Sequence, residues 1–346
     1  MRKYLLLITF FFTIISIEAQ ISVSSRHVGP PGKISQEQFE KFKNSTTIFV
    51  LSNIVDNETY VKILNDSWDV TPFKVVKRED FDVSEYLSGN FSFVVLEGYH
   101  TLIFKQTYSV DYIYIYLHFF MYDLEKLKKG LDKIKPNKKN TEDKIKDLFS
   151  ESKIDFARVD LFPKDEFTHL VLDKENKTVD IMDAVYNDSV FYNYSSGFLK
   201  NGFQKVNNQI KEEKIYWMYG DGYLEELKNL MTDTLYIPTY HKVLFNPFTI
   251  EDKEDSDRIE EVLSSYDYNY KFIDNDKLDE KILSGEEFYY LKYVRVNSQK
   301  FVSIINGKTG EVVYRNYYAG TAFSYNLKSK NIKQLNGLIR KAAKKS

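Results

Sequence analysis

Apolar residues recur along this chain in two matching sets, one per half. In the first half, Phe39 and Phe42 lie three apart and precede a short β-type run at 47–51; in the second, Leu224 and Leu227 precede a run at 234–237. Three-apart apolar positions share one helical face, whereas short runs of β-branched and aromatic residues fit a strand. Val61, Leu64 and Trp68 then predict a helix, matched by Ile259, Val262, Leu263 and Tyr266. Strands follow at 73–76 and 270–273, each leading to a small helix that ends in Leu-Ser-Gly, at 87–89 and 283–285. Glycine after the last apolar helical residue adopts the left-handed conformation without strain and stops the helix.

A third strand is predicted at 91–96 and at 288–296, and then a hairpin. In the second half its arms are 301–305 and 311–317, around Asn306-Gly307-Lys308-Thr309-Gly310; Asn and Gly both tolerate positive φ in such turns. In the first half, 168–172 and 178–182 take that place around a turn at 173–177. Leu199, Phe203, Val206 and Ile210 mark one closing helix, and Ile332, Leu335, Ile339 and Ala342 the other. The class is α/β (α+β): two tandem, duplicated α/β sandwich domains with mixed sheets, each αβαβαβββα. The expected boundaries are a flexible mature N-terminus at 20–32, a first repeat at 33–216, a linker at 217–223 and a second repeat at 224–346. Residues 99–165 lack a match in the second half and are expected to be an insert. It would hold a strand at 110–122 and charged helices over 123–149, interrupted by Pro136.

Ahead of the first repeat, Arg2 and Lys3 precede an apolar run from Leu5 to Ile17, and Ala19 offers a small residue for cleavage before Gln20. The run has the length of a signal-peptide core, about 7–15 residues, and falls short of the ~20 that span a bilayer. Residues 1–19 are therefore expected to be a signal peptide, and no transmembrane helix is expected in the mature chain. The chain has no cysteine, hence neither a lipid-bearing thiol nor the disulfides usual in secreted eukaryotic domains. The expected location is the periplasm, with outer-membrane association or secretion as alternatives. The Lys-, Asn-, Tyr- and Phe-rich composition, with 27 tyrosines and 26 phenylalanines, resembles exported proteins of Bacteroidetes.

The order of elements, with Thr-Gly-Glu-Val-Val at 309–313 before the final helix, resembles the TolB amino-terminal domain. It is also similar to the periplasmic domains of the curli-secretion channel and of the outer-membrane lipoprotein activators of penicillin-binding proteins. That resemblance implies a non-enzymatic envelope module that binds other proteins. The curli channel's lipid-bearing cysteine and membrane hairpins have no counterpart here, so the resemblance does not extend to a pore.

Charge and motifs narrow the chemistry. Without Arg2, Lys3 and Glu18, the 48 basic and 50 acidic residues become 46 and 49, a formal charge of −3. A near-neutral chain without a basic block has no electrostatic reason to bind nucleic acid. Gly307-Lys308-Thr309 lacks the earlier glycine of a phosphate loop, and Gly220-Asp221-Gly222 lacks the strand and third glycine of a dinucleotide site. Glu251, Asp252, Glu254, Asp255 and Asp257 lack the alternation and central glycine of a calcium loop and read as a solvated loop. His27, His100, His118, His169 and His241 show no helical ligand spacing. No cofactor or metal is expected, no catalytic set emerges, and His118 reads as a buried, hydrogen-bonded histidine.

The most distinctive pattern is Tyr112-Ile113-Tyr114-Ile115-Tyr116-Leu117. Strand geometry puts Tyr112, Tyr114 and Tyr116 on one face and the aliphatic residues on the other. The row is either part of a strand buried on both faces or an exposed platform for a glycan or a protein. The expected function is an exported, non-enzymatic recognition or scaffolding module for a protein or envelope polymer. The alternatives are an envelope-polymer hydrolase with a carboxylate pair, such as Glu97 or Asp80, in the inter-domain groove, and an oligomeric secretion or assembly component.

Overall fold

The structure, a computed structural model, describes residues 21–27, 29–104, 109–135, 140–173, 178–319 and 325–345. The expected signal peptide and Pro136 lie outside these residues. Two six-stranded mixed sheets carry the fold. The first domain runs β1 (Ile21–Val23), α1 (Gln36–Lys43), β2 (Thr46–Val50), α2 (Asn57–Ser67), β3 (Phe73–Val76), two 3₁₀ turns (Arg78–Asp80 and Val83–Tyr86), β4 (Phe91–Phe104) and β5 (Ser109–Tyr122). It continues through α3 (Leu124–Leu131), α4 (Thr141–Glu151), β6 (Lys153–Asp160), α5 (Asp165–Leu172), α6 (Thr178–Asn187) and α7 (Ser196–Lys211). The second domain runs β7 (Gly222–Tyr223), a 3₁₀ helix (Glu225–Met231), β8 (Leu235–Pro238), a 3₁₀ turn (Thr239–Lys242), β9 (Val243–Asn246) and β10 (Glu251–Glu254). Then come α8 (Ser256–Leu263), β11 (Tyr270–Ile273), α9 (Asn275–Leu283), β12 (Tyr289–Val296), β13 (Gln299–Asn306), β14 (Val312–Tyr318) and α10 (Ser329–Ala343).

The two sheets share one plan. Their strand orders are β3-β2-β4-β5-β6-β1 and β11-β8-β12-β13-β14-β7. In each, the second strand of the order is parallel to both neighbours, β2 to β3 and β4, β8 to β11 and β12. All later pairings are antiparallel. β9 and β10 form a separate ribbon in the second domain, without a counterpart among the described residues of the first.

Local chemistry accounts for many of the ends. Ser35 and Gln38 form a reciprocal capping box that starts α1, whose Phe39 and Phe42 are buried as the three-apart spacing predicts. Asp56 caps α2 through the Thr59 amide at 2.8 Å, and Tyr60, Ile63 and Leu64 fill the face beneath. The Asn306 side chain accepts from the Lys308 and Thr309 amides, and Gly310, at φ +70, closes the predicted hairpin. Gly285, at φ +75, stops α9 as its Leu-Ser-Gly signal implies.

Four expectations are corrected. The stretch 99–165 is not an insert, because β5 and β6 are the counterparts of β13 and β14. What the first domain adds is α3 with α4, standing where the second has the turn at 306–310, and α5 with α6 after β6. The hairpin arms expected at 168–172 and 178–182 are helical, in α5 and α6, with 174–177 of the expected turn outside the described residues. Among the described residues these runs carry no partner strand, and tertiary context overrides propensity. Residues 20–32 are not a free tail, since Ile21–Val23 pairs with Val159, Arg158 and Ala157 of β6. Nor is 217–223 a plain linker: Trp217 and Met218 are buried and Gly222–Tyr223 is the edge strand β7.

Helix α7 joins the domains, with twelve of its sixteen residues buried. Phe203 meets Phe49 of β2 edge-on at 5.4 Å, while Phe198 packs on Tyr290 of β12 at 5.9 Å. Buried polar groups are costly unless bonded, and two of those on α7, Asn201 and Lys205, find partners in the second domain. Asn201 donates to the Gly307 carbonyl at 3.0 Å and accepts from the Tyr290 hydroxyl at 3.0 Å, and Lys205 pairs with Glu311 at 2.6 Å.

Candidate functional site

β4 and β5 run on past their neighbours. β2 pairs with β4 only as far as Val95, and β6 pairs with β5 only from Tyr116 onward. The two strands remain paired with each other out to Phe104 and Ser109. They therefore project from the sheet as a two-stranded arm, and alternation places the tyrosine row on one of its faces. Ile113, Ile115 and Leu117 are buried on the opposite face, whereas Tyr112, Tyr114 and Tyr116 are half-buried. Tyr99, directly across from Tyr114, joins the row with 38% of its surface exposed.

The rings do not lie flat as a platform. Tyr99 stacks on Tyr114 at 4.7 Å and 24°, and Tyr112 stacks on Tyr114 at 6.4 Å and 22°. The ring faces are spent on one another, so the arm presents ring edges and hydroxyls. α3 and α4 do not cover the row: α4 meets the other end of β5, where Phe149 packs on Tyr122. The second domain supports the arm instead. Asn297, in the turn between β12 and β13, takes both backbone groups of Ile113, accepting from its amide at 2.8 Å and donating to its carbonyl at 3.0 Å.

Under the row lies a buried ion pair. Arg158 and Asp160, both 1% exposed, face each other with Nε 3.0 Å from Oδ1 and Nη2 donating to Oδ2 at 3.1 Å. The guanidinium lies 4.8 Å from the Tyr116 ring centre and 5.7 Å from that of Tyr114. Burial alone would weaken the hold of Arg158 on its proton, but the Asp160 charge outweighs it and raises the pKa. Burial likewise pushes the Tyr114 hydroxyl up to about 12, so that hydroxyl keeps its proton.

Two residues along β5 the stripe changes character. His118 is buried between two carboxylates, its Nδ1 2.8 Å from Glu97 Oε2 and its Nε2 3.0 Å from Asp155 Oδ1. Lys153 bonds the other oxygen of Glu97. Burial works against charge on both partners. The two hydrogen bonds nevertheless raise the His118 pKa, and the contacts to His118 and Lys153 hold the Glu97 carboxyl down at about 2. His27, from the loop after β1, meets His118 edge-on at 5.5 Å and 84°, and its Nε2 is 3.8 Å from Asp155 Oδ2. Burial and then the neighbouring His118 charge lower its pKa to about 3, leaving a neutral imidazole.

His118 is thus the buried, hydrogen-bonded histidine that its apolar strand implies. Its partners were hidden, since residues 27, 97, 118 and 155 come from four separate segments that only the sheet brings together. The available signal was Asp155, Arg158 and Asp160, polar positions interleaved with Phe156, Ala157 and Val159. Ligand spacing along the sequence gave no metal set, yet nitrogens of His27 and His118 and an Asp155 oxygen lie within 4.8 Å of one another.

The carboxylates named for a hydrolase do not form a cleft. Asp80 is exposed in the 3₁₀ turn after β3, and Glu97 is tied to His118 and Lys153. Across His118, Glu97 faces Asp155, and the imidazole fills the space between them. The acidic run at 251–257 is not a solvated loop throughout. Glu251–Glu254 forms β10, and Asp252 exchanges backbone-to-carboxylate bonds with Asp165 at 2.9 and 3.0 Å across the domain boundary.

Searches of family models, curated proteins and solved structures find no match to this chain. Among the described residues, no helix is long and apolar enough to cross a membrane.

Proposed function

We propose that the protein is an exported, non-enzymatic envelope module that docks a partner protein on the β4–β5 arm. The observation that carries this reading is the tyrosine row, a half-exposed ladder of Tyr99, Tyr114 and Tyr112 on a strand pair that outruns its sheet. Tyrosine is enriched at the centres of protein interfaces because it supplies large apolar area with few rotatable bonds and carries a hydroxyl at its tip. A ladder whose faces are already stacked loses little further side-chain entropy on binding. Its edges and hydroxyls suit the mixed apolar and hydrogen-bonding surface of a protein better than the flat face of a sugar ring. Export is read from the apolar run at 5–17 behind Arg2 and Lys3.

The test is affinity capture from envelope extracts, comparing wild type with Tyr99→Ala/Tyr114→Ala and with Tyr268→Ala in the second domain as a control. The reading requires a defined protein recovered by wild type and the control and lost with the double variant. Recovery independent of the row, or depletion of a glycan fraction in place of a protein, overturns it.

A further inference from the structure

We infer that His27, His118 and Asp155 form a site for a divalent transition-metal cation of the zinc type. Two imidazoles and a carboxylate are a donor set suited to such ions. A tetrahedral ion with bonds of about 2.1 Å places its donors about 3.4 Å apart. The separation from His118 Nε2 to Asp155 Oδ1 is 3.0 Å, and that from His27 Nε2 to Asp155 Oδ2 is 3.8 Å. All three donors lie within 4.8 Å. His27 sits in the loop between β1 and α1, and Asp155 turns a different oxygen to each histidine, so the set closes when one oxygen serves both.

Three further observations point to a ligand. Both ring nitrogens of His27 are buried with no hydrogen-bond partner among the described residues, and a buried polar atom left bare is rare in folded proteins. The second is the orientation of His118. Glu97 takes its Nδ1 at 2.8 Å, and Nε2, which meets Asp155 Oδ1 at 3.0 Å, exchanges the proton of that contact for a metal, giving the carboxylate–histidine–metal relay seen around bound ions. The third is charge. Glu97 and Asp155 face Lys153 as the one lysine of the cluster, and Arg158 is committed to Asp160, so one negative charge remains for a cation to neutralise. A proton on His118 also balances that charge, but it does nothing for the bare nitrogens of His27. A metal accounts for both. Three protein ligands leave a fourth position open, and the site is independent of what the tyrosine row binds.

The experiment is titration of the untagged, chelator-washed protein with Co²⁺, followed by its visible absorption, and with Zn²⁺ by calorimetry. Wild type and His169→Gln, an exposed helical histidine, should bind one equivalent with a tetrahedral Co²⁺ band. His27→Gln should lose the band, and Glu97→Gln should bind about 10- to 100-fold more weakly. Far-ultraviolet circular dichroism checks that each variant is folded. If His27→Gln fails to fold, wild type alone decides: Zn²⁺ must raise its Tm and a chelator must reverse the rise. Absence of stoichiometric binding by wild type, or an undiminished band in folded His27→Gln, overturns the assignment.

Discussion

Asn297 grips Ile113 by both backbone groups, accepting from its amide at 2.8 Å and donating to its carbonyl at 3.0 Å, 184 residues away in sequence. The side chain acts as one rung of a missing strand beside β5, just where β6 has ended. Asn297 itself sits at φ +54, a left-handed conformation that asparagine tolerates and glycine prefers.

Replacing Asn297 by glycine therefore keeps the turn and deletes the grip. Two hydrogen bonds at about 1 kcal/mol each set the loss at about 1–2 kcal/mol. Hydrogen exchange at the Ile113 amide should accelerate in Asn297→Gly, with little change in the core of β12. An unchanged Ile113 rate means that the arm stands without the second domain.

The hydrophobic spacing made much of this legible. The Phe39/Phe42 face, the hairpin at 306–310, the Leu-Ser-Gly stop at 283–285 and the tyrosine alternation all depend on near neighbours in sequence, and the structure contains each of them. What was illegible depends on distant partners. A three-residue strand such as Ile21–Val23 has too little periodicity to register, and only pairing with β6 makes it a strand. The run 168–172 reads as β by residue type, yet it folds as α5 with Phe167 buried in the core. The His118 cluster draws on four segments whose spacing carries no signal. For the tyrosines, alternation gives the face of the strand that carries them, not the tilt of their rings.

Asp279 of α9 caps α7 from the other domain, accepting from the Ser195 hydroxyl at 2.7 Å, and burial raises its pKa to about 6. The unfolded value is near 3.9. Between pH ~4 and ~6 the folded state binds the extra proton, so stability falls as pH rises through that window and levels off above it. A shift of about two units bounds the effect at about 3 kcal/mol. Asp279→Asn should raise the urea midpoint at pH 7 and leave it nearly unchanged at pH 4. The opposite pH dependence of the difference contradicts the assignment.

Gly197 lets that cap approach. A Cβ there would lie 2.6 Å from Asp279 Oδ1 and 3.1 Å from its Cα. Gly197→Ala should cost about 1–3 kcal/mol through overpacking, despite alanine's better helix propensity. A neutral or stabilising result in thermal unfolding means that the two helices separate readily.

Asp160→Asn strands the Arg158 guanidinium in the core and should destabilise by about 3–5 kcal/mol. The double substitution Arg158→Met/Asp160→Leu should recover most of that loss, since no uncompensated charge remains. Chemical denaturation of wild type and the two variants checks the order. A double variant no better than the single one would show that the Tyr114 and Tyr116 rings need the guanidinium beneath them.

The most direct test of the account is site-specific photocrosslinking in intact cells, with a photoreactive phenylalanine analogue placed at Tyr112, at Tyr99 or, as a control, at exposed Phe248 in the second domain. The expected result is one protein adduct formed from both arm positions and absent from Phe248. Adducts from Phe248 alone, or none from either arm position while the protein is exported and folded, would contradict the claim that the arm is a docking surface.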